Sequence, residues 1–496
     1  MIVPIASAAL KLLLHAFAIT HYGYFRDELY YIACSKHLAW GYVDHPPLSI
    51  ALLALARATL GDSLWAIRLL PALAGAGTVF LVGLLVRELG GGRFAQALAC
   101  LAAVIPPVWL AVDHFFSMNA FDTFFWTLAA WLLLRAIANG RPRTWILFGI
   151  AVGLGLLNKW SMAWFSGGAF FGLLLTPERR VLRTPWPWVA AVISAVIVMP
   201  NLIWEQMHAW PTLEFMRNAA REKMVRTGFG EFWKQQVLVM NPVNVLLWVP
   251  GLIFLLRSAR ARVIGIAYLA TAALLVTSGS SRPNYLAVAD APLLAAGAVA
   301  VGRAAASRAW IRPVALMVLV LLGAPVALMG LPLLPVDRQI AYMRPLSGGV
   351  KAQERSSESD LPQVFADMFG WEEMVQRVAR VYHALPEPDR QRCVIAASNY
   401  GEAGAIDFFG PRYGLPSAIS WHNNYWLWGT HGGTGDVMIL VGGDRDDAHN
   451  DFRSATLADT TSCNHCMPYE NGAPIWVLHG LNMPLSERWK QIRRYI

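Results

Sequence analysis

Two adjacent carboxylates follow the first apolar run of the chain. Asp27 and Glu28 come soon after residues 1–22, near the start of YFRDELYYIACSKHLAWGYVDHPP at 24–47, here called the opening stretch. Acids at the edge of a membrane segment are costly to keep half-desolvated, and they commonly mark functional sites. A positioned carboxylate can take a proton from an attacking group. We therefore predict that the opening stretch contains the reaction centre.

The two acids are not expected to play the same part. Because they are consecutive, their side chains diverge by about 100° on a helix, so one should face the reacting molecule while the other holds structure. The alternative is a solvated helix start, where acids favour the positive end of the helix dipole. A third acid, Asp122 in SMNAFDTFFW, lies at the end of another apolar run and favours the catalytic interpretation of Asp27 and Glu28.

Several cations and one acid could hold a phosphate or a metal. Arg282 and Tyr285 begin the apolar run of SSRPNYLAV, where a guanidinium can hold a phosphate through two hydrogen bonds or simply anchor the interface. Lys159 follows the glycine-rich GIAVGLGLLN, and the alternative is an ammonium that only reaches the membrane surface. Asp44 and His45 precede two prolines, a rigid turn that can direct a cation or a metal ligand inward or merely end a loop. No cofactor is certain, and a divalent metal at Asp44 and His45 is left open.

Composition predicts a membrane protein. Of 496 residues, 56% are hydrophobic and only 15% are charged, which is more apolar surface than a soluble protein needs. The net charge of +9 is carried by Lys and Arg in short loops between apolar runs, so it reports how the chain crosses the membrane. The expected surroundings are membrane lipids, and no nucleic-acid partner is predicted.

Apolar runs of helical length recur before residue 335. With the first helix they predict about eleven transmembrane helices, although several runs are shorter than the roughly 20 residues of a straight span. Residues 48–70 carry charged side chains among leucines and alanines, so we expect this segment to lie along the interface. The runs occupy residues 70–86, 94–112, 120–138, 145–157, 160–175, 186–204, 243–256, 263–277, 285–302 and 313–334.

Five loops with clustered arginines alternate with the loops that hold Asp113, Lys159, residues 205–242 and residues 278–284. Since cytoplasmic loops are enriched in Lys and Arg, this alternation predicts a cytoplasmic N-terminus, with the opening stretch and the chain after about residue 335 on the outer side. The basic loops contain Arg87 and Arg93; Arg135, Arg141 and Arg143; Arg179, Arg180 and Arg183; Arg257, Arg260 and Arg262; and Arg303, Arg308 and Arg312.

The pattern changes after residue 334. Apolar runs shorten to strand length, and a helical stripe precedes them at 361–384, which predicts a small α/β domain. The predicted organisation is an α-helical polytopic membrane domain at 1–334, with interfacial helices and a first external loop at 23–69, followed by an external α/β domain at 335–496. The strand-length runs are 393–398, 436–443 and 474–480.

Two further features of this region are candidates for chemistry. Cys463 and Cys466 have C-x-x-C spacing, a weak signal without a second pair, and we favour a disulfide from Cys393 to one of them with the other thiol spare. The stretch GEAGAIDFFG at 401–410 lacks the spacing of a dinucleotide-binding loop, and its glycines are better explained by a tight turn into a helix.

Together these motifs resemble a known family. The acidic pair followed by two tyrosines, the turn DHPPL, the acid in NAFDTFF, the run GLGLLNKWS and RPNYLAVADAP are similar to bacterial membrane glycosyltransferases of the protein O-mannosyltransferase and lipid A aminoarabinose transferase type, which have the C-type glycosyltransferase fold. The resemblance implies that Asp27 is the catalytic base and Asp122 a second acid of the site. It also implies that Arg282 and Tyr285 lie near a lipid phosphate. His45 departs from the pattern, since relatives have Lys before the prolines.

The resemblance implies a reaction as well as a fold. Its donor would be a polyprenyl-phosphate-linked hexose or pentose, and its acceptor a lipid, glycan or protein at the outer face of the bacterial cytoplasmic (inner) membrane, facing the periplasm or the exterior. A phosphate leaves as an anion, so the enzyme needs one base for the acceptor and cations for the phosphate. With His45 in place of Lys, this clamp would rest on Arg282 and Lys159, or on a metal. Direct displacement predicts inversion at the anomeric carbon.

A proton-coupled secondary transporter of a lipid or sugar is the competing function. Many spans with embedded acids also describe such carriers. The acids cluster at one face of the predicted bundle instead of the midplane, however, and the two halves of the chain are not alike. These features favour the transferase.

Overall fold

The computed structural model describes residues 1–279, 282–345 and 359–496. Most of the described chain up to Met343 is helical. Each predicted apolar run contains a helix, although the run 94–112 is broken at residues 105 and 106. The helices are α1 (Ile2–Ala18), α2 (Arg26–Lys36), α3 (Leu48–Leu60), α4 (Leu64–Glu88), α5 (Arg93–Val104), α6 (Pro107–Val112), α7 (Met118–Asn139), α8 (Pro142–Asn158), α9 (Met162–Leu174), α10 (Trp186–Met207), α11 (Pro211–Asn218), α12 (Phe229–Val239), α13 (Val245–Arg257), α14 (Arg262–Ser278), α15 (Ala291–Ser307), α16 (Ile311–Ala327) and α17 (Val336–Met343).

Four described helices are long enough to cross a membrane, and the other apolar helices are shorter. Among the described residues, four helical segments are long and apolar enough to cross a membrane, namely Leu64–Glu88, Met118–Asn139, Trp186–Met207 and Ile311–Gly330. Helix α12 and the segment Pro242–Arg257 form a further candidate that bends by 102° at its break. The chain is thus a multi-pass membrane protein, and the predicted number of about eleven crossings stays a prediction.

Two of the basic loops meet at one end of this bundle. An open cavity of about 670 Å³ is lined by the C-terminal ends of α4, α7, α13 and α15, including Arg257, Arg260 and Arg303. The first turns of α4 and α7 lie at the opposite end, beside the opening stretch. These two loops therefore lie away from Asp27, and the predicted alternation of sides and the side that faces the cytoplasm stay predictions.

The opening stretch forms helix α2 and the turn that leads into α3. The segment 48–70, predicted as one interfacial element, is divided, because α3 ends at Leu60 before Gly61, whose φ of 84° favours glycine. Ser63 then caps α4 by accepting a hydrogen bond from the amide of Ala66. Residues 64–70 consequently belong to a membrane-length helix instead of an interfacial one.

The C-terminal domain, residues 359–496 of the described chain, is built on a five-stranded mixed sheet with the order β2-β1-β3-β5-β4. The three predicted strands are confirmed as β1, β3 and β5, whereas β2 and β4 were not predicted. Strands β1, β2 and β3 run parallel, and β5 is antiparallel to β3 and β4. The elements are α18 (Gln363–Ala366), α19 (Trp371–Ala384), α20 (Glu387–Arg392), β1 (Cys393–Ala397), α21 (Tyr400–Phe409), β2 (Ala418–Ile419), α22 (Asn424–Trp428), β3 (Val437–Val441), α23 (Arg445–Asp451), β4 (Phe452–Thr460), β5 (Pro474–Leu481) and α24 (Leu485–Gln491).

One predicted pairing in this domain is wrong. The disulfide joins Cys463 to Cys466, and Cys393 is a free, partly buried thiol on β1. The C-x-x-C segment lies in the loop after β4, where the two cysteines are close enough to bond to each other. The expectation of one disulfide and a spare thiol holds, with Cys393 as the spare thiol.

Candidate active site

Glu28 is the centre of a buried ion pair. Its side chain is completely buried, and both of its oxygens face the Arg68 guanidinium at 2.8 and 2.9 Å. Glu28 also accepts the amides of Phe25 and Phe116, each at 2.8 Å, and the first of these bonds caps α2. Arg68 in turn donates to the carbonyls of Ile19, His21 and Gly23. Of the two roles expected for the acidic pair, the structural one therefore suits Glu28.

Asp27 is the more accessible member of the pair. Its side chain is 31% exposed, at the start of α2 where the helix dipole favours a negative charge. One oxygen, Oδ1, accepts a hydrogen bond from the Tyr400 hydroxyl at 3.0 Å and lies 3.5 Å from Nε of Arg26. Among the described residues no hydrogen bond reaches Oδ2. Asp27 thus has a free oxygen with which to take a proton.

The third acid of the opening stretch, Asp44, is linked to the C-terminal domain. Asp44 accepts hydrogen bonds from the Tyr30 hydroxyl at 2.8 Å and from Asn424 of the C-terminal domain at 3.3 Å. Burial raises the pKa of the Asp44 carboxyl above its usual value, and the charge of Asp27 adds to the rise. Oδ1 of Asp44 also lies 3.8 Å from Nε2 of His45.

Tyr31 connects these acids to the start of α7. Burial raises the pKa of its hydroxyl well above the usual value, and the charges of Asp44 and Asp27 act in the same direction. A hydrogen bond with the backbone of Met118 opposes the rise. The charges of both carboxylates and the backbone of Met118, the first residue of α7, thus act on one hydroxyl.

The start of α7 holds an acid and a lysine together. Asp122 is 1% exposed, accepts a hydrogen bond from the Ser161 hydroxyl at 2.5 Å and lies 3.3 Å from the Lys159 ammonium. Lys159 also donates to the side-chain oxygen of Asn119 at 2.7 Å. Asp122 therefore fixes the position of a cation, and has no exposed oxygen to act as a base.

Lys159 belongs to a group of two cations around one aromatic ring. Its ammonium lies 5.3 Å from the ring centre of Tyr285, and the Arg282 guanidinium lies 6.0 Å from the same ring. Arg282 also contacts the sulfur of Met224, in the segment between α11 and α12. The structure thus brings together the three residues predicted to bind phosphate at the ends of different helices.

His45, the fourth predicted phosphate ligand, lies apart from this group. It is 1% exposed and stacks on Tyr31 at 4.6 Å, with Tyr42 at 4.9 Å. As a metal site, Asp44 and His45 provide only one carboxylate and one imidazole. Among the described residues no group of three His, Cys, Asp or Glu side chains could hold a metal ion. The donor set therefore does not fit a divalent metal, and no step is assigned to one.

Comparisons with known proteins identify the fold. The family model of dolichyl-phosphate-mannose-protein mannosyltransferases matches residues 44–204. The structure is similar to that of ArnT from Cupriavidus metallidurans bound to undecaprenyl phosphate, with a TM-score of 0.63 and 14% identity over 95% of this chain and 97% of ArnT. The chain has the fold of the C-type membrane glycosyltransferases. The resemblance predicted from the opening stretch is therefore confirmed.

Curated relatives match shorter parts of this C-type glycosyltransferase fold. The polyprenol-phosphate-mannose–protein mannosyltransferase of Corynebacterium glutamicum is 27% identical over 246 residues, which cover 42% of this chain and 46% of the relative. The lipid A galacturonosyltransferase RgtD of Rhizobium johnstonii is 25% identical over 232 residues, covering 45% and 48%. This chain thus spans less than half the length of these relatives.

Three residues of the site were missed from the sequence. Arg68 stands among leucines and was assigned to an interfacial segment, although a lone arginine in an apolar helix is a signal for a buried acidic partner. Tyr400 and Asn424 come from the C-terminal domain and reach Asp27 and Asp44. No spacing in the chain relates them to the opening stretch.

Proposed function

We propose that this protein transfers a sugar from a polyprenyl-phosphate-linked donor to an acceptor at the outer face of the bacterial cytoplasmic membrane. The observation that carries the proposal is the pairing of a half-exposed carboxylate, Asp27, with a separate cation group formed by Lys159 and Arg282. A sugar phosphate donor requires these two functions and no acid for the leaving group. The relatives named for polyprenol-phosphate-mannose and lipid A, and the ArnT complex with undecaprenyl phosphate, support this donor class.

In this mechanism Asp27 is the base. Oδ2 of Asp27 takes the proton of the acceptor hydroxyl while the acceptor oxygen attacks the anomeric carbon. The phosphate leaves from the opposite face of the sugar, so the configuration inverts. Glu28 holds the first turn of α2 through Arg68 and keeps Asp27 in place without touching the substrate.

The cation group receives the leaving phosphate. Lys159, held by Asp122, and Arg282 both lie next to the Tyr285 ring, and their charges can compensate the charge that develops on the phosphate. His45 is buried between tyrosine rings, so we assign it to supporting Asp44 instead of contacting phosphate. The donor sugar, whether a hexose or a pentose, and the acceptor, whether lipid, glycan or protein, are left to experiment.

The test is to incubate purified protein with a panel of polyprenyl-phosphate sugars and candidate acceptors and to measure the release of polyprenyl phosphate. Release that depends on the acceptor, with a product of inverted configuration, is the expected result. Uptake of a labelled sugar or lipid into vesicles, without release of polyprenyl phosphate from any donor, would contradict the proposal and favour the transporter.

A further inference from the structure

The C-terminal domain packs directly on the helix that carries Asp27. Helix α21 lies against α2, and two glycines of α21 permit the contact. A Cβ at Gly404 would lie 2.9 Å from the backbone of Leu29, and one at Gly401 would lie 2.5 Å from Cγ of Arg26. The glycines at 401 and 404, predicted to serve a turn, instead let two helices approach closely.

This packing fixes the ring of Tyr400, the first residue of α21. The ring lies 4.6 Å from that of Tyr30 and 4.8 Å from that of His422, and the Arg26 guanidinium lies 5.5 Å from its centre. Asn399 caps α21 by accepting the amides of the second and third residues of the helix. These ring contacts and the helix cap therefore fix the position of the Tyr400 hydroxyl, which donates to Oδ1 of Asp27.

We propose that Tyr400 is a positioning residue for Asp27, so that the C-terminal domain completes the catalytic site of the membrane domain. This inference rests on the proposed function, in which Asp27 is the base. The hydrogen bond to Oδ1 restricts rotation of the carboxylate and leaves Oδ2 directed at the acceptor. A base must be held within hydrogen-bonding distance of the proton that it removes, and small displacements are costly in rate.

The principal test is Tyr400→Phe, which removes the hydroxyl and keeps the ring. The free energy of a hydrogen bond to a charged group typically corresponds to about a 10- to 100-fold change in rate. We therefore expect kcat to fall about 10-fold or more, with little change in the KM for the donor, because the phosphate is bound elsewhere. An unchanged kcat, or a loss expressed only in KM, would overturn the inference.

Tyr425→Phe is the matched control. Tyr425 is a buried tyrosine of the same domain, and its hydroxyl donates to another partly buried acid, Asp407, at 2.8 Å. This variant loses a comparable hydrogen bond and a comparable amount of stability, but it should keep its kcat. An equal fall in kcat in both variants would show that the hydroxyl of Tyr400 acts through the stability of the domain, against the proposal.

A double-mutant cycle tests whether Tyr400 acts through Asp27. In an Asp27→Asn background, the change of Tyr400 to Phe should reduce the residual turnover little further, because the group that it positions can no longer accept a proton. A full additional loss would overturn the positioning role. Two other outcomes separate this inference from the proposed function. Near-normal turnover of Asp27→Asn would show that Asp27 is not the base and would contradict the proposed function. An active Tyr400→Phe together with an inactive Asp27→Asn would reject only this inference.

Gly404→Ala perturbs the same contact without touching the hydroxyl. The added methyl group must move α21 away from α2, so kcat should fall although Tyr400 is present. Gly167→Ala in α9 is the control, because a Cβ there meets nothing within 4 Å. A normal kcat in Gly404→Ala would contradict the dependence of Asp27 on the position of α21.

Discussion

Asp27 and Glu28 are neighbours in the chain, yet their substitution should produce opposite defects. Asp27→Asn keeps the size of the side chain and its bond to Tyr400 but cannot accept a proton. Loss of a general base costs about 10²- to 10⁴-fold in rate, which corresponds to about 3–5 kcal/mol of transition-state stabilisation. We expect this variant to fold, to bind the donor and to fail in transfer.

Glu28→Gln should instead reduce stability. Glutamine is neutral, so the fully buried Arg68 would lose its only carboxylate partner among the described residues. Removing one member of a buried ion pair costs about 3–5 kcal/mol of folding free energy. The carbonyls that Arg68 also contacts would remain, which places the expected loss near the lower end of that range.

The assay measures both quantities on each variant. Turnover comes from the release of polyprenyl phosphate at saturating donor, donor affinity from its concentration dependence, and stability from the fraction of monodisperse protein left after heating in detergent. Glu28→Gln at a permissive temperature should turn over faster than Asp27→Asn. The reverse order would make Glu28 the base, and near-normal turnover in both would remove this pair from the mechanism.

Three further predictions concern other parts of the chain. Arg282→Ala should raise the KM for the donor more than it lowers kcat, because phosphate is bound in both the ground and transition states; an unchanged KM would move the phosphate site elsewhere. Burial raises the pKa of Glu402 from 4.5 to about 7, so between these pH values the folded state holds a proton that the unfolded state has lost, and the free energy of unfolding should fall as the pH rises. Glu402→Gln should flatten this pH dependence when it is measured by thermal unfolding. A cysteine at exposed Thr434 should react with an impermeant reagent added outside intact cells while one at Ser258 does not, and the reverse labelling would invert the topology; Ser356, the outer position suggested by the sequence, lies outside the described residues.

The elements of the fold were predictable where hydrophobic periodicity is strong. Every apolar run predicted a helix, and three strand-length runs predicted β1, β3 and β5, because burial on both faces makes such strands continuously apolar. Strand β4 was missed since it is an edge strand with most side chains exposed, and β2 is only two residues long. Cysteine spacing could not decide the disulfide, because the pairing depends on where the loop after β4 folds.

The site was predictable only in part, and the division follows from how its residues are related. A charged residue at the end of an apolar run commonly marks a functional site. The residues in such positions are Asp27, Asp122, Lys159 and Arg282. The assignment of roles within the acidic pair required Arg68, which approaches from another helix.

Tyr400 could not be predicted because it is 373 positions away from Asp27 in the chain and belongs to a different domain. Its contact depends on two glycines, whose meaning appears only when α21 and α2 are seen packed together. In the proposed mechanism this contact gives the C-terminal domain a role beside the base. A half-exposed carboxylate at a membrane surface is free to rotate into water, and a tyrosine held from outside the bundle restrains it while its other oxygen stays open to the acceptor.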